Sequence, residues 1–248
     1  MDVTFDPHLF TQIGLDSASL TMLGTVVHQF YEAGEYRCVV HEGPAVKATF
    51  IVSSDKKSSN AQAVIDLEAL VSGAGYGGSG DNDCCCGGDG AKPDAAKGPS
   101  VFTVNPRGYV VFRVGKGKGQ YYVHARRVDA PADNKGYETR MLVEGDSFSA
   151  IVLRPGTYEL ANTVTGAKGR LVVTYPKPGE RKYRPGAPIR IATGRTFEPA
   201  EATIGPAQGV IFEVKASSRI TITLLKADDG PQGPSRERQP RRFIHRAR

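Results

Sequence analysis

Apolar and polar side chains alternate with a period of two through most of this chain. Tyr109–Val114 (YVVFRV), Gln120–Ala125 (QYYVHA), Phe148–Leu153, Thr157–Ala161, Gly169–Thr174, Val210–Val214 and Arg219–Leu224 are short runs of this kind, with turn residues between nearly every pair. Such alternation sends successive side chains to opposite faces of a strand. Short strands at this spacing, punctuated by Gly and Pro, predict an all-β sandwich or barrel. Helical spacing occurs in only two places. Val64, Leu67, Leu70 and Val71 mark a short helix in and just after Asn60–Leu70 (NAQAVIDLEAL), and Asp16–Leu23 is the second candidate.

Composition then divides the chain into three ordered stretches, about Asp2–Ser53, Ser100–Tyr175 and Pro188–Lys226. The first two are separated by residues 56–99, which end in SGAGYGGSGDNDCCCGGDGAKPDAAKGP and have the makeup of a flexible linker. A Pro-rich linker, residues 176–187 within YPKPGERKYRPGAP, separates the second and third. Residues 229–248 read as a basic, disordered tail.

The ordered stretches repeat one another. Gly34-Glu35-Tyr36-Arg37-Cys38-Val39-Val40-His41, then Gly43 and Ala48–Val52, parallels Gly156-Thr157-Tyr158-Glu159-Leu160-Ala161-Asn162-Thr163, then Gly166 and Gly169–Val173. A second pattern, Phe102 to Val114, parallels Phe197 to Val214 with a small gap. The middle stretch thus holds an opening and a closing half, the first stretch a closing half, and the third an opening half.

These halves resemble the cupredoxins, the small blue-copper proteins. The opening half has their F-x-P…G-x-x-V-x-F rhythm, and YRCVVHEGPAVKATFIV resembles their metal loop. Pro7-His8-Leu9 resembles the segment of the first copper histidine. The resemblance implies two Greek-key β-sandwiches. One is contiguous over residues 100–175 and metal-free, with Leu160 and Thr163 where Cys38 and His41 stand; the other is assembled from residues 1–55 and 188–228. It also implies a copper site in which His8 and His41 supply imidazoles and Cys38 the thiolate, with Val46 as an apolar residue in the axial place. A His₂Cys set suits copper in both oxidation states. His124, a lone histidine on a β run, reads as structural or surface.

An incomplete sandwich exposes strand edges, so the split one is expected to close. It closes either within the chain, as a permutation, or between chains, which would build rings or filaments.

Cys84-Cys85-Cys86 lack the paired spacing of zinc sites. Soft-metal capture such as Cu(I), a disulfide to another chain, lipid attachment and a plain thiol-rich linker all stay open for them. GKGKGQ (Gly115–Gln120) lies between two strands and reads as a hairpin turn rather than a phosphate loop. No H-E-x-x-H or G-x-S-x-G occurs, and five scattered histidines do not suit a multicopper oxidase. The expectation is therefore a protein that is not an enzyme.

Charge changes the picture less than its total implies. The net charge is +6 over 248 residues, but SRERQPRRFIHRAR at the end holds six Arg and one Glu. The rest is nearly neutral, which argues against a specific nucleic-acid surface. At 40% hydrophobic residues the chain can build cores, and no apolar run is long enough for a membrane helix. MDVTFDPHLF shows no secretory signal, whereas the resemblance implies a periplasmic or extracellular setting. The leading expectation is a copper protein for one-electron transfer or copper carriage, with a redox partner or copper donor. The alternative is a metal-free structural protein that self-assembles head to tail by completing the split sandwich between chains.

Overall fold

The computed structural model describes residues 13–73, 99–131, 136–175 and 183–228, and these build an almost purely β molecule of three sheets. His8, Cys84, Cys85, Cys86 and the Arg-rich tail lie outside the described residues. The first half of the chain supplies β1 (Gly14–Asp16), β2 (Gly24–Gln29), β3 (Gly34–Glu42), β4 (Ala45–Ser54) and β5 (Gln62–Asp66). A one-turn helix α1 (Leu67–Val71) follows, then β6 (Ser100–Val104), β7 (Tyr109–Arg113) and β8 (Tyr122–Arg127). The second half supplies β9 (Tyr137–Glu138), β10 (Ser147–Ile151), β11 (Gly156–Asn162), β12 (Lys168–Val173) and β13 (Ile189–Thr193). After these come β14 (Phe197–Glu198), β15 (Glu201–Ile204), β16 (Gly209–Val214) and β17 (Ile220–Ala227).

The two halves are the same arrangement used twice. In the first, β2 pairs antiparallel with β7 and β7 parallel with β5, while β6, β4, β3, β8 and β9 form a second sheet in that order. In the second, β10 pairs antiparallel with β16 and β16 parallel with β13, while β15, β12, β11, β17 and β1 form the matching sheet. Even the backbone exceptions repeat. Gly34 and Gly156 have φ of 147° and 153°, and Arg107 and Ala207 have φ of 68° and 60°. Tyr36 Oη donates to the Glu32 carbonyl at 3.0 Å, and Tyr158 Oη to that of Arg154 at 2.7 Å, each bond spanning four residues.

Two connections fuse the repeats. The first is the antiparallel pairing of β2 with β10, which makes a continuous seven-stranded sheet, β14-β13-β16-β10-β2-β7-β5. Val26 lies opposite Phe148 in that ladder; the two are equivalent positions of the repeats, so a pseudo-twofold axis passes between them. The second is an exchange of leading strands. β1, which leads into the first repeat, pairs with β17 of the second, and β9, which leads into the second, pairs with β8 of the first.

Strand patterning explains the core. On β10, β11 and β16 every second residue is buried, and the buried set (Phe148, Tyr158, Leu160, Val210, Phe212) belongs to one hydrophobic cluster together with Phe50, Val52, Val110 and Phe112 of the first repeat. Phe50 on β4 packs against Phe112 on β7 with ring centroids 6.4 Å apart, which ties the first repeat's two sheets together.

The frame of the repeat differs from the expected one. Residues 100–175 do not close on themselves: β6, β7 and β8 pair with β4, β2 and β3, whereas β10, β11 and β12 pair with β16, β17 and β15. Among the described strands, the first and third stretches pair through β1 and β17. Repetition in a sequence sets the period but not the frame, which is decided by which strands pair. Part of the expected linker is ordered as well. Ile65 and Leu67 are fully buried at a spacing of two, so the segment expected to be helical begins as strand β5 and turns helical only at Leu67. Asp16–Leu23 contains the end of β1 and turns, with no helix.

Candidate functional site

Two of the three expected copper ligands lie on β3. Cys38 is fully buried, with Phe50 of β4 and Ala125 of β8 as its cross-strand neighbours. Its Sγ lies 3.7 Å from the Tyr36 carbonyl, and burial pushes its pKa well above the ordinary thiol range. His41 is three residues further along and therefore on the other face of the strand. It is half-buried and stacked on Tyr122 with ring centroids 4.7 Å apart and planes 4° apart. Its cross-strand partner is Val46, which is 60% exposed at the β3–β4 hairpin. Cys38 and His41 are thus not presented to one ion, and the described pair does not fit a His₂Cys centre. Among the described residues no group of three or more His, Cys, Asp or Glu is placed to hold a metal. His124 lies on β8 opposite Val39 of β3 and Glu138 of β9.

A surface groove adjoins His41 through its stacking partner Tyr122. Ala18, Ser19, Glu42, Gly43, Lys118, Gln120, Tyr122 and Arg140 line it. The Arg140 guanidinium sits 4.1 Å from the Tyr122 ring centroid and bonds Glu138 at 2.5 Å. Tyr122 is thus engaged by both a histidine and an arginine of its own chain, and its ring is used in holding the groove wall together. Among the described residues, the buried His41 Nδ1 atom has no hydrogen-bond partner.

The most specific polar constellation lies at the seam between the repeats. His28 is on β2 and Asp146 immediately precedes β10, so the β2–β10 register brings them face to face at one end of the ladder. His28 Nδ1 and Asp146 Oδ1 are 2.7 Å apart, with side-chain exposures of 10% and 1%. The other carboxylate oxygen accepts the Val143 N–H at 2.9 Å and fixes the turn that leads into β10. Tyr137 of β9 stacks on His28 at 3.5 Å, and Phe30 meets the imidazole edge-on at 4.8 Å. Burial first, and then the Asp146 charge, push the Tyr137 hydroxyl pKa well above its ordinary value. Strands β2 and β9 and the turn that leads into β10 thereby meet on one imidazole.

A histidine oriented by a carboxylate is also the arrangement of a general base. Here the ring is covered by Tyr137 and Phe30 and is nearly removed from solvent, which leaves no room for a substrate. The geometry is that of a clasp. Its residues carried no sequence signal, because His28 and Asp146 are 118 residues apart and flank ordinary strands.

Comparison of the chain with protein-family models, with curated proteins and with solved structures returns no match.

Proposed function

We propose that this chain is a metal-free structural protein, a single block of two β-sandwich repeats that acts through its shape rather than through chemistry at a bound ion. The observation that carries the reading is the seven-stranded sheet running without interruption through both repeats. Repeats meant to move against each other are joined by linkers and small polar interfaces. These two instead share a backbone ladder, exchange their leading strands and contribute to one apolar cluster. In this reading each repeat is a Greek-key-like sandwich whose likeness to the cupredoxins is one of strand rhythm and not of site.

The competing reading is a copper protein for one-electron transfer or carriage, with His8, Cys38 and His41 as ligands. Titration of the purified chain with Cu(II), followed by visible absorption, separates the two. The structural reading predicts no intense thiolate-to-copper band that depends on Cys38. Such a band at one equivalent, lost in Cys38→Ser, would overturn it.

A further inference from the structure

The outer faces of the two five-stranded sheets are equivalent places that carry different chemistry. In the second repeat one row across the strands reads Glu201, Arg170, Glu159 and Thr223. Acid and base alternate there: Arg170 lies 3.8 Å from Glu201, and Lys168 bonds Glu159 at 3.0 Å. That face balances its own charges. The same row in the first repeat reads Val101, Ile51, Arg37 and Arg126. Arg37 follows Tyr36 as Glu159 follows the equivalent Tyr158, so an arginine stands where the second repeat has an acid. It faces Arg126 directly across the β3–β8 ladder. Like charges opposite each other in a ladder are destabilising, and proteins keep such conflicts chiefly where function needs them. Glu32 and Asp129 pair with the neighbouring Arg127. Arg126 Nη2 donates to the Pro131 carbonyl at 2.8 Å, Arg37 is exposed, and Val101 is 54% exposed.

We propose that this row docks an acidic segment of a partner protein, with a carboxylate between the Arg37 and Arg126 guanidiniums and an apolar side chain against Ile51 and Val101. Guanidinium suits this role because its planar fork of N–H donors matches a carboxylate in a two-point contact. Neighbouring strands are about 4.8 Å apart, so the row spans about 14 Å, the length of about four extended residues. A peptide with isolated acids fits better than a line of phosphates. Glu35 is exposed on the same face of β3, two positions and about 7 Å from Arg37, and repels a continuous run of negative charge. A peptide that alternates acidic and apolar residues places its charge at the arginines alone.

The inference deepens the structural reading and rests on it, but the two fail separately. The probe is the peptide acetyl-Leu-Glu-Leu-Glu-Leu-amide, titrated into the isotope-labelled full chain and followed by amide NMR, with the same peptide carrying Gln for Glu as control. The Glu peptide is expected to shift the amides of Arg37, Ile51, Val101 and Arg126, and the Gln peptide to bind at least tenfold more weakly. Arg37→Glu is expected to abolish the shifts and also to raise the urea midpoint, since it removes the like-charge contact. An arginine kept for structure alone would give a lower midpoint on the same change. No shift with the Glu peptide, shifts confined to the Arg-rich end of the chain, an equal response to both peptides, or shifts that survive Arg37→Glu overturn the proposal. So does a lowered midpoint in Arg37→Glu. Oligodeoxythymidylate that shifts the same amides at lower concentration than the peptide also overturns it and assigns the row to nucleic acid. None of these results touches the Cu(II) titration, which alone decides between the structural and copper readings.

Discussion

His28 and Asp146 hold one end of the seam between the repeats, and the equivalent positions at the other end, Ala150 and Gly24, carry no polar group. The pseudo-twofold is therefore broken where the chain needs a specific contact. Removing the carboxylate leaves the imidazole and the Val143 N–H without their acceptor. Asp146→Ala is expected to lower stability by about 1–3 kcal/mol, the usual cost of orphaned buried polar groups. Asp146→Asn, which keeps an acceptor, is expected to cost less. Urea midpoints measure both, and unchanged midpoints would contradict the role of the clasp.

Tyr137 ties the same clasp to alkaline pH. Its folded pKa is raised by burial and by Asp146, while in the unfolded chain it stays near the reference value of about 10. The folded state therefore binds this proton more tightly. The stability linked to it is fully present below about pH 10 and falls as pH rises further. Tyr36, Tyr121 and Tyr158 are shifted the same way, first of all by burial, and share the effect. Tyr137→Phe is expected to make the decline in urea midpoint above pH 10 shallower, and an identical slope would contradict the assignment.

Glycine is required at Gly156 for two reasons that add. Its φ is 153°, and a Cβ there would lie 2.5 Å from the Lys226 carbonyl oxygen. Gly43 has φ of 56° and nothing within 4 Å of the corresponding Cβ. Gly156→Ala is expected to cost about 2–3 kcal/mol and Gly43→Ala about 1 kcal/mol. Thermal unfolding compares them, and equal losses would contradict the contact argument.

Cys38 is expected to behave as a core residue. Peptide-resolved alkylation should find it unmodified in the native protein and reactive once urea unfolds the chain. Cys38→Ser, which buries a hydroxyl among apolar neighbours, is expected to cost about 1–3 kcal/mol. Fast native alkylation would contradict the burial.

The all-β architecture was legible in the sequence because period-two alternation in Tyr109–Val114, Thr157–Ala161 and Val210–Val214 reports strand faces directly. The repeat was legible too, down to the Gly-x-Tyr that opens β3 and β11. Its frame was not, because local pattern says nothing about whether β6 pairs with β4 or closes with β12. Cys38 illustrates the same limit at the site. C-x-x-H suggests two ligands on one loop, but the run from Gly34 to Glu42 is one continuous strand, and a spacing of three on a strand separates faces. The seam was invisible for the opposite reason. His28, Tyr137 and Asp146 form no motif along the chain and acquire meaning only through the β2–β10 register.

The central claim is that the two repeats form one cooperative block. Hydrogen exchange with mass spectrometry across a urea series tests it most directly, using peptides from β3–β4 for the first repeat and β11–β12 for the second. Both sets are expected to lose protection together, at one urea concentration, since neither repeat keeps its sheet without the β2–β10 ladder and the exchanged strands. Loss in one repeat while the other stays protected would contradict the claim and show two independent domains.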